Sequence, residues 1–155
     1  MKLIKYDVAK NGEFLELIKE EAKIYKDIDG EISEPVHVLK VMKKIEIHKK
    51  AEEHLYLICL NSKNKIKGIF LVAKGSLNAM LYHPREIFKR AIFCNANSII
   101  MVHNHPSGDT TPSKEDFEMT HRLKEAGKLL GISLLDSIII GEENSLYSFK
   151  RETNL

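Results

Sequence analysis

The stretch that decides the fold is residues 97–141, NSIIMVHNHPSGDTTPSKEDFEMTHRLKEAGKLLGISLLDSIIIG. It begins with a continuous apolar run of strand length that ends in two histidines, and a loop rich in Pro, Gly, Ser, Thr and Asp follows. Ser113 to Leu130 has the pattern of a long helix, with Gly131 as its stop. A second apolar run comes next. This order of elements predicts part of an α/β domain built on a buried sheet.

The residues upstream continue the alternation of strands and helices. HLYLICLN (54–61) and IKGIFLVAKG (66–75) are predicted as two strands joined by a turn, and HPREIFKRAIFCNA (83–96) as a helix with Pro84 in its first turn. SLYSF (145–149) is a candidate last strand. The predicted fold class is therefore α/β, with a central mixed β-sheet flanked by helices.

The first 50 residues are predicted to form a helical N-terminal segment ahead of a domain at residues 51–155. A second helix of this segment is expected to start near Pro35, which suits the first turn of a helix. The first helix is expected over residues 13–26, where five apolar side chains fall at helical spacing. These are Phe14, Leu17, Ile18, Ala22 and Tyr25.

Composition narrows the classes of partner. The chain has 24 Lys plus Arg against 22 Asp plus Glu, and this near balance gives no strong electrostatic case for nucleic-acid binding. Cys59 and Cys94 do not form a CxxC pair, so neither a disulfide framework nor a thiolate zinc site is indicated. Because no apolar run reaches about 18 residues and the N-terminus has no signal-type core, a cytoplasmic protein without a membrane partner is expected. The sequence sets no oligomeric state.

His103 and His105 stand where the buried strand ends, two residues apart, so their imidazoles point the same way. Asp116 follows eleven residues after His105, in the first turn of the next helix. Imidazole and carboxylate suit Zn²⁺, and three protein ligands leave a fourth position for water. A plainer interpretation is also open, in which Ser113 caps the helix and Asp116 supports its first turn.

Residues 103–141 resemble the RadC family, a bacterial branch of the JAB/MPN metalloenzymes. The shared JAMM metal pattern is H-x-H-P, six residues and then S-x-x-D, which begins here at His103 and ends at Asp116. Upstream, KGSLNAMLYHPREIFKRA (74–91) resembles the family pattern G-[ST]-[LV]-N followed by HPRE. The resemblance covers roughly residues 52–150.

The resemblance implies a zinc-dependent metallopeptidase that hydrolyses peptide or isopeptide bonds in a peptide or protein substrate. His103, His105 and Asp116 would hold Zn²⁺, and Ser113 would be a catalytic hydrogen-bond donor to the water or the developing oxyanion. In active relatives, a Glu on an upstream strand takes a proton from the water and passes it to the leaving amine.

The upstream Glu is where the sequence departs from the family pattern. It is expected four or five residues before Gly75, and those positions are Leu71 and Phe70. Glu53 and Glu86 are candidate substitutes, although each is also explained as a solvated or capping acid.

A catalytically weak or inactive metal-binding module is therefore the alternative function. A further departure is Ser137, where relatives often have His. The DNA-repair role in the family's traditional label finds no support in the charge or the motifs of this chain.

Overall fold

Seven strands form one mixed sheet in the part of the chain that the computed structural model describes, which is residues 2–24, 30–75, 83–142, 144–153 and 155. The strands are β1 (Lys2–Asn11), β2 (Phe14–Ile24), β3 (His54–Leu60), β4 (Ile66–Lys74), β5 (Ser98–Asn104), β6 (Ser133–Ile140) and β7 (Leu146–Ser148). The helices are α1 (Pro35–Lys44), α2 (Pro84–Phe93), α3 (Lys114–Leu130) and α4 (Phe149–Thr153), with a 3₁₀ helix at Ile47–Lys49.

The strand order across the sheet is β2-β1-β4-β3-β5-β6-β7. The pairs β1–β4 and β5–β6 are parallel, and the other neighbours are antiparallel. The predicted fold class, α/β with a central mixed sheet flanked by helices, is confirmed. Residues 76–82, which carry part of the G-[ST]-[LV]-N pattern, lie outside the described residues.

Side chains alternate along the strands, so each strand contributes to both faces of the sheet. Each face is covered by different helices. On β3, Tyr56, Ile58 and Leu60 pack into a core cluster with the buried side of α1. Leu55, Leu57 and Cys59 point to the other face and pack with α2 and α3. We call these the α1 face and the α3 face.

β5 is an interior strand of the sheet, between β3 and β6, and all of its residues are buried. Ile99 and Met101 belong to the α3 face, whereas Ile100 and Val102 belong to the α1 face. By the same alternation, His103 points to the α3 face and Asn104 to the α1 face. The strand therefore presents His103 on the side on which α3 begins.

The helix predicted over residues 13–26 is wrong. Residues 2–24 form the antiparallel hairpin β1–β2, whereas α1 confirms the helix expected from Pro35. The apolar positions of β2 fit helical spacing, but they pair with β1 across a two-residue turn at Gly12 and Glu13, where Gly12 has a φ of 63°. Glycine at the first position of a two-residue turn between strand-like runs is a hairpin signal, and long-range pairing overrides the local helical pattern.

The hairpin belongs to the same sheet as the rest of the chain, since Lys5 of β1 pairs with Ile69 of β4. The division into residues 1–50 and 51–155 stays a prediction, but its first part is not the helical segment that was expected. Among the described helices, none is both long enough and apolar enough to cross a membrane. The cytoplasmic location stays a prediction.

Candidate metal centre

His103, His105 and Asp116 converge, and their ligand atoms all lie within 4.8 Å of one another. The Nε2 atoms of the two histidines are 3.1 Å apart. Asp116 Oδ1 lies 3.1 Å from His103 Nε2, and Asp116 Oδ2 lies 3.6 Å from His105 Nε2. Ligands bound to a tetrahedral zinc ion at about 2.0–2.1 Å are about 3.3 Å from each other. The three side chains therefore fit a metal ion of that size.

The chain just after β5 aims the second imidazole. The backbone N–H of His105 donates to the carbonyl of Ile140 at 2.9 Å, which extends the contact with β6 past the end of the strand. His105 Nδ1 lies 2.7 Å from the carbonyl oxygen of Asp109. Because a carbonyl can only accept, Nδ1 carries a proton, and Nε2 is the nitrogen that faces the cluster. A metal-bound histidine is commonly fixed in this way by its second nitrogen.

Ser113 and Asp116 form the capping box that the sequence allowed as an alternative. Asp116 Oδ2 accepts hydrogen bonds from the backbone N–H of Ser113 at 2.8 Å and from its hydroxyl at 2.7 Å. The backbone N–H of Asp116 donates in return to Ser113 Oγ at 3.1 Å. Asp116 Oδ1 remains on the side of His103. Capping and metal ligation are therefore compatible, since they use different oxygens.

The charges in the cluster suit a divalent cation. Burial by itself would raise the pKa of Asp116, but the hydrogen bonds from His103 and His105 outweigh it and hold this pKa well below its ordinary value. The hydrogen bond to Asp116 raises the pKa of His105 above its ordinary value, against the opposing effect of burial. An ionised carboxylate thus stands beside two imidazoles, which is a favourable donor set for a metal ion.

A cleft of about 410 Å³ opens beside these ligands. Its lining residues are Glu53, His105, Pro106, Ser107, Ser113, Glu115 and Asp116. Glu53 directly precedes β3, and the antiparallel register of β3 on β5 places Leu55 opposite His103. Glu53 is two residues before Leu55, and His105 is two residues after His103, so the antiparallel register brings Glu53 beside His105 on the α3 face. The charge of Glu53 contributes to the raised pKa of His105.

Phe70 and Leu71, the positions where the upstream glutamate is expected, do not line the cleft. Both lie on β4, which is separated from β5 by β3. Phe70 is fully buried in the core of the α3 face, and Leu71 packs against the core of the α1 face. β3 and β6 are the strands that border β5, and the acid that directly precedes β3 is Glu53.

Glu86, the other candidate substitute, and Ser137, the second departure from the family pattern, do not reach the cleft. Glu86 lies in the first turn of α2, where hydrogen bonding to Lys89 lowers its pKa and Arg90 lies 3.5 Å from its carboxylate. Ser137 is buried in β6, and its backbone N–H donates to the side chain of Asp136. Neither residue lines the cleft beside the ligands.

The fold and the convergent side chains define a class, an α/β domain with a candidate metal site at the end of an interior strand. Residues 32–155 match the family of RadC-like JAB domains, and the chain belongs to this family. A UPF0758 protein of Caldanaerobacter subterraneus subsp. tengcongensis is 50% identical over 111 residues, which are 72% of this chain and 47% of the relative.

Two further UPF0758 proteins have similar identities. The protein of Staphylococcus haemolyticus is 56% identical over 92 residues, or 59% of this chain and 40% of the relative. The protein of Clostridium botulinum is 57% identical over 101 residues, which are 65% of this chain and 44% of the relative. This chain therefore spans less than half the length of the curated relatives that it matches.

Proposed function

We propose that this domain is a zinc-dependent hydrolase of the JAMM type that cleaves peptide or isopeptide bonds. The observation that carries the proposal is that Glu53 and Ser113 line the same cleft as the metal ligands. Two imidazoles, one carboxylate and an open side favour zinc in a catalytic rather than a structural site. A bound zinc ion supplies Lewis-acid chemistry, since it makes water acidic near neutral pH and polarises a carbonyl group.

Glu53 is the general base in this proposal. Its carboxylate accepts a proton from the water whose oxygen attacks the carbonyl carbon, and it delivers that proton to the amine nitrogen as the carbon–nitrogen bond breaks. The position of Glu53 supports this role, because it enters the cleft beside His105 from the strand next to the histidines. Leu71 is then not a lost base, and the main support for an inactive module is removed.

Ser113 has two roles. In the described conformation, its hydroxyl donates to Asp116 Oδ2 and accepts from the backbone N–H of Asp116. It thereby fixes the orientation of the carboxylate in the cluster. Rotation about the Cβ–Oγ bond would redirect the proton into the cleft, where it can stabilise the oxygen that becomes negative during attack. Ser113 Oγ can keep its acceptor role in the helix cap during this rotation.

The test is a turnover assay of the zinc-loaded protein on fluorogenic peptide and isopeptide substrates. We expect Glu53→Gln to lower kcat by about 10²–10⁴-fold while the protein still binds one zinc ion per chain. Asp116→Ala should lose zinc and turnover together. Glu118→Gln is the matched acid-to-amide control, because Glu118 is an exposed acid on α3, the helix that carries Asp116.

Two results would contradict the proposal in different ways. Stoichiometric zinc with no turnover on a broad panel of peptide and isopeptide substrates would favour the non-catalytic module. Failure of the purified protein to retain zinc would remove both functions. A role on DNA requires binding that weakens as salt increases, and no affinity at low salt would exclude it.

A further inference from the structure

Asn104 stands between the two ligand histidines but is not part of their cluster. It is the last residue of β5, it is 2% exposed, and its side chain points to the α1 face. A buried amide has strong hydrogen-bonding requirements, so its partners show what it holds in place. All of its side-chain hydrogen bonds given by the described structure go to the segment at residues 50–54.

The amide of Asn104 binds the backbone on both sides of Glu53. Its Oδ1 accepts from the backbone N–H of His54 at 2.7 Å. Its Nδ2 donates to the carbonyl of Glu52 at 3.1 Å and to that of Lys50 at 3.4 Å. One acceptor and two donors are used, which is the combination that an Asn side chain offers and that Asp or Ala cannot provide.

These contacts begin where regular strand pairing stops. The register of β3 on β5 ends at the pair Leu55–His103, so Glu53 lies beyond the residues that pair with β5, and its own carbonyl accepts from the backbone N–H of Gly75 at 2.9 Å on the β4 side. On its other side, β5 continues against β6 as far as Asn104 and Ile140. Asn104 therefore links the segment that carries Glu53 to a part of β5 that is fixed by β6.

We infer that Asn104 is a positioning residue for Glu53. By fixing the backbone on either side of Glu53, it sets the distance of the carboxylate from the two histidines that flank Asn104 in the chain. The end of β5 thus presents His103 and His105 to the metal on one face. On the other face, Asn104 positions the general base Glu53. The inference rests on the proposed function, in which Glu53 accepts a proton.

The first test measures position without turnover. In wild-type protein loaded with Co²⁺, the amides of Glu53 and His54 should show paramagnetic pseudocontact shifts in NMR spectra. In Asn104→Ala, we expect the shifts of these two amides to change or average, while those of Met101 and Leu123 stay the same. Identical shifts for Glu53 and His54 in both proteins would overturn the inference.

The second test is a double-mutant cycle on the zinc enzyme. Asn104→Ala should lower kcat on the order of 10-fold to 100-fold with little change in KM or zinc affinity, as expected for a misplaced catalytic group. In the Glu53→Gln background, the same substitution should cause no further loss, because Asn104 acts through Glu53. Independent, multiplicative losses would show that it acts on the metal site or on the whole fold instead.

The outcomes separate the two proposals. A wild-type protein that binds Co²⁺ but has no turnover would remove the hydrolase proposal, and the pseudocontact shifts would still decide whether Asn104 places the Glu53 backbone. If Asn104→Ala does not fold, Asn104→Ser replaces it in both tests, since a serine hydroxyl is polar but too short to span to Glu52 and Lys50. Glu118→Gln again serves as the control.

Discussion

Ser113 and Asp116 are joined by three hydrogen bonds, which both cap α3 and orient the carboxylate of the candidate metal centre. The start of the helix and the ligand geometry are therefore set by the same contacts. Loss of the serine hydroxyl should affect the stability of the fold and the affinity for zinc together.

Ser113→Ala tests this coupling. The free energy of unfolding of the metal-free protein should fall by about 0.5–2 kcal/mol, the usual cost of losing a helix cap. Zinc affinity should fall by about 10-fold or more, because Asp116 Oδ2 loses one of its two donors from Ser113. Urea denaturation and competitive zinc titration measure the two effects. Ser113→Thr, which keeps a hydroxyl, should restore most of both. Unchanged zinc affinity in Ser113→Ala would show that the hydroxyl does not orient the ligand.

Zinc affinity should weaken as the pH falls. The hydrogen bond to Asp116 raises the pKa of His105 above 6.5, so protons compete with zinc for Nε2 already near neutral pH. Below that pKa, each displaced proton weakens apparent affinity by about tenfold per pH unit. Titrations at about pH 6 and about pH 8 check this, with Glu118→Gln expected to follow the wild type. An affinity that is the same at both values would contradict ligation by His105.

The convergence of His103, His105 and Asp116 could be predicted from the sequence because it depends on local geometry. Alternation along a strand aims His103 and His105 together, and the helix start that carries Asp116 follows within one loop. The capping interpretation was equally local, and the two proved compatible because Asp116 has two oxygens.

Strand order across the sheet, in contrast, depends on contacts far apart in the chain, and sequence spacing does not reveal it. The upstream glutamate is expected on β4, counted back from Gly75, whereas β3 is a neighbour of β5 and Glu53, just before β3, lines the cleft. The hairpin at residues 2–24 was missed for a related reason. The turn at Gly12 and Glu13 favours a hairpin and the helical spacing of apolar residues in β2 favours a helix, and only the pairing with β1 decides between them.

Gly141→Ala should damage the metal site by displacing the loop after β5. A Cβ at this position would lie 2.2 Å from the carbonyl oxygen of Gly108 and 2.4 Å from Ser145 Oγ. The serine can rotate, but the Gly108 oxygen belongs to the loop whose Asp109 carbonyl holds His105. We expect zinc affinity to fall by about 10–100-fold, the range seen when a partner of a ligand histidine is lost.

The matched control for this substitution is Gly131→Ala, at the end of α3. Gly131 has a φ of 69° and no atom within 4 Å of an added Cβ, so Ala there is strained but does not collide. It should lower stability by about 1–2 kcal/mol and leave zinc affinity unchanged. Equal zinc affinities for Gly141→Ala and the wild type would show that the loop absorbs the collision without moving His105.

The last prediction concerns Asp136, a buried acid that joins the end of the chain to β6. Its carboxylate accepts from the hydroxyl of Ser148 at 2.6 Å and from the backbone N–H groups of Ser137 and Lys150 at 2.8 and 3.0 Å. Burial raises the pKa of Asp136 above 3.8, although these hydrogen bonds oppose the shift. As the pH rises, the unfolded chain therefore loses the Asp136 proton at a lower pH than the folded protein does. The free energy of unfolding falls between pH 3.8, the ordinary pKa of an aspartate, and the higher pKa of Asp136 in the folded state.

Asp136→Asn should remove this loss. Its Oδ1 can still accept from both backbone groups, and its Nδ2 can donate to Ser148 once the hydroxyl turns, so the free energy of unfolding should change little at low pH. The stability of Asp136→Asn relative to the wild type should then increase as the pH rises to neutrality.

Asp136→Ala leaves buried donors without an acceptor and should cost about 1–3 kcal/mol or more at every pH. Urea denaturation from about pH 4 to about pH 7 distinguishes the variants. A relative stability of Asp136→Asn that falls over this range would mean that the folded protein favours the ionised form of Asp136, with the hydrogen bonds outweighing burial.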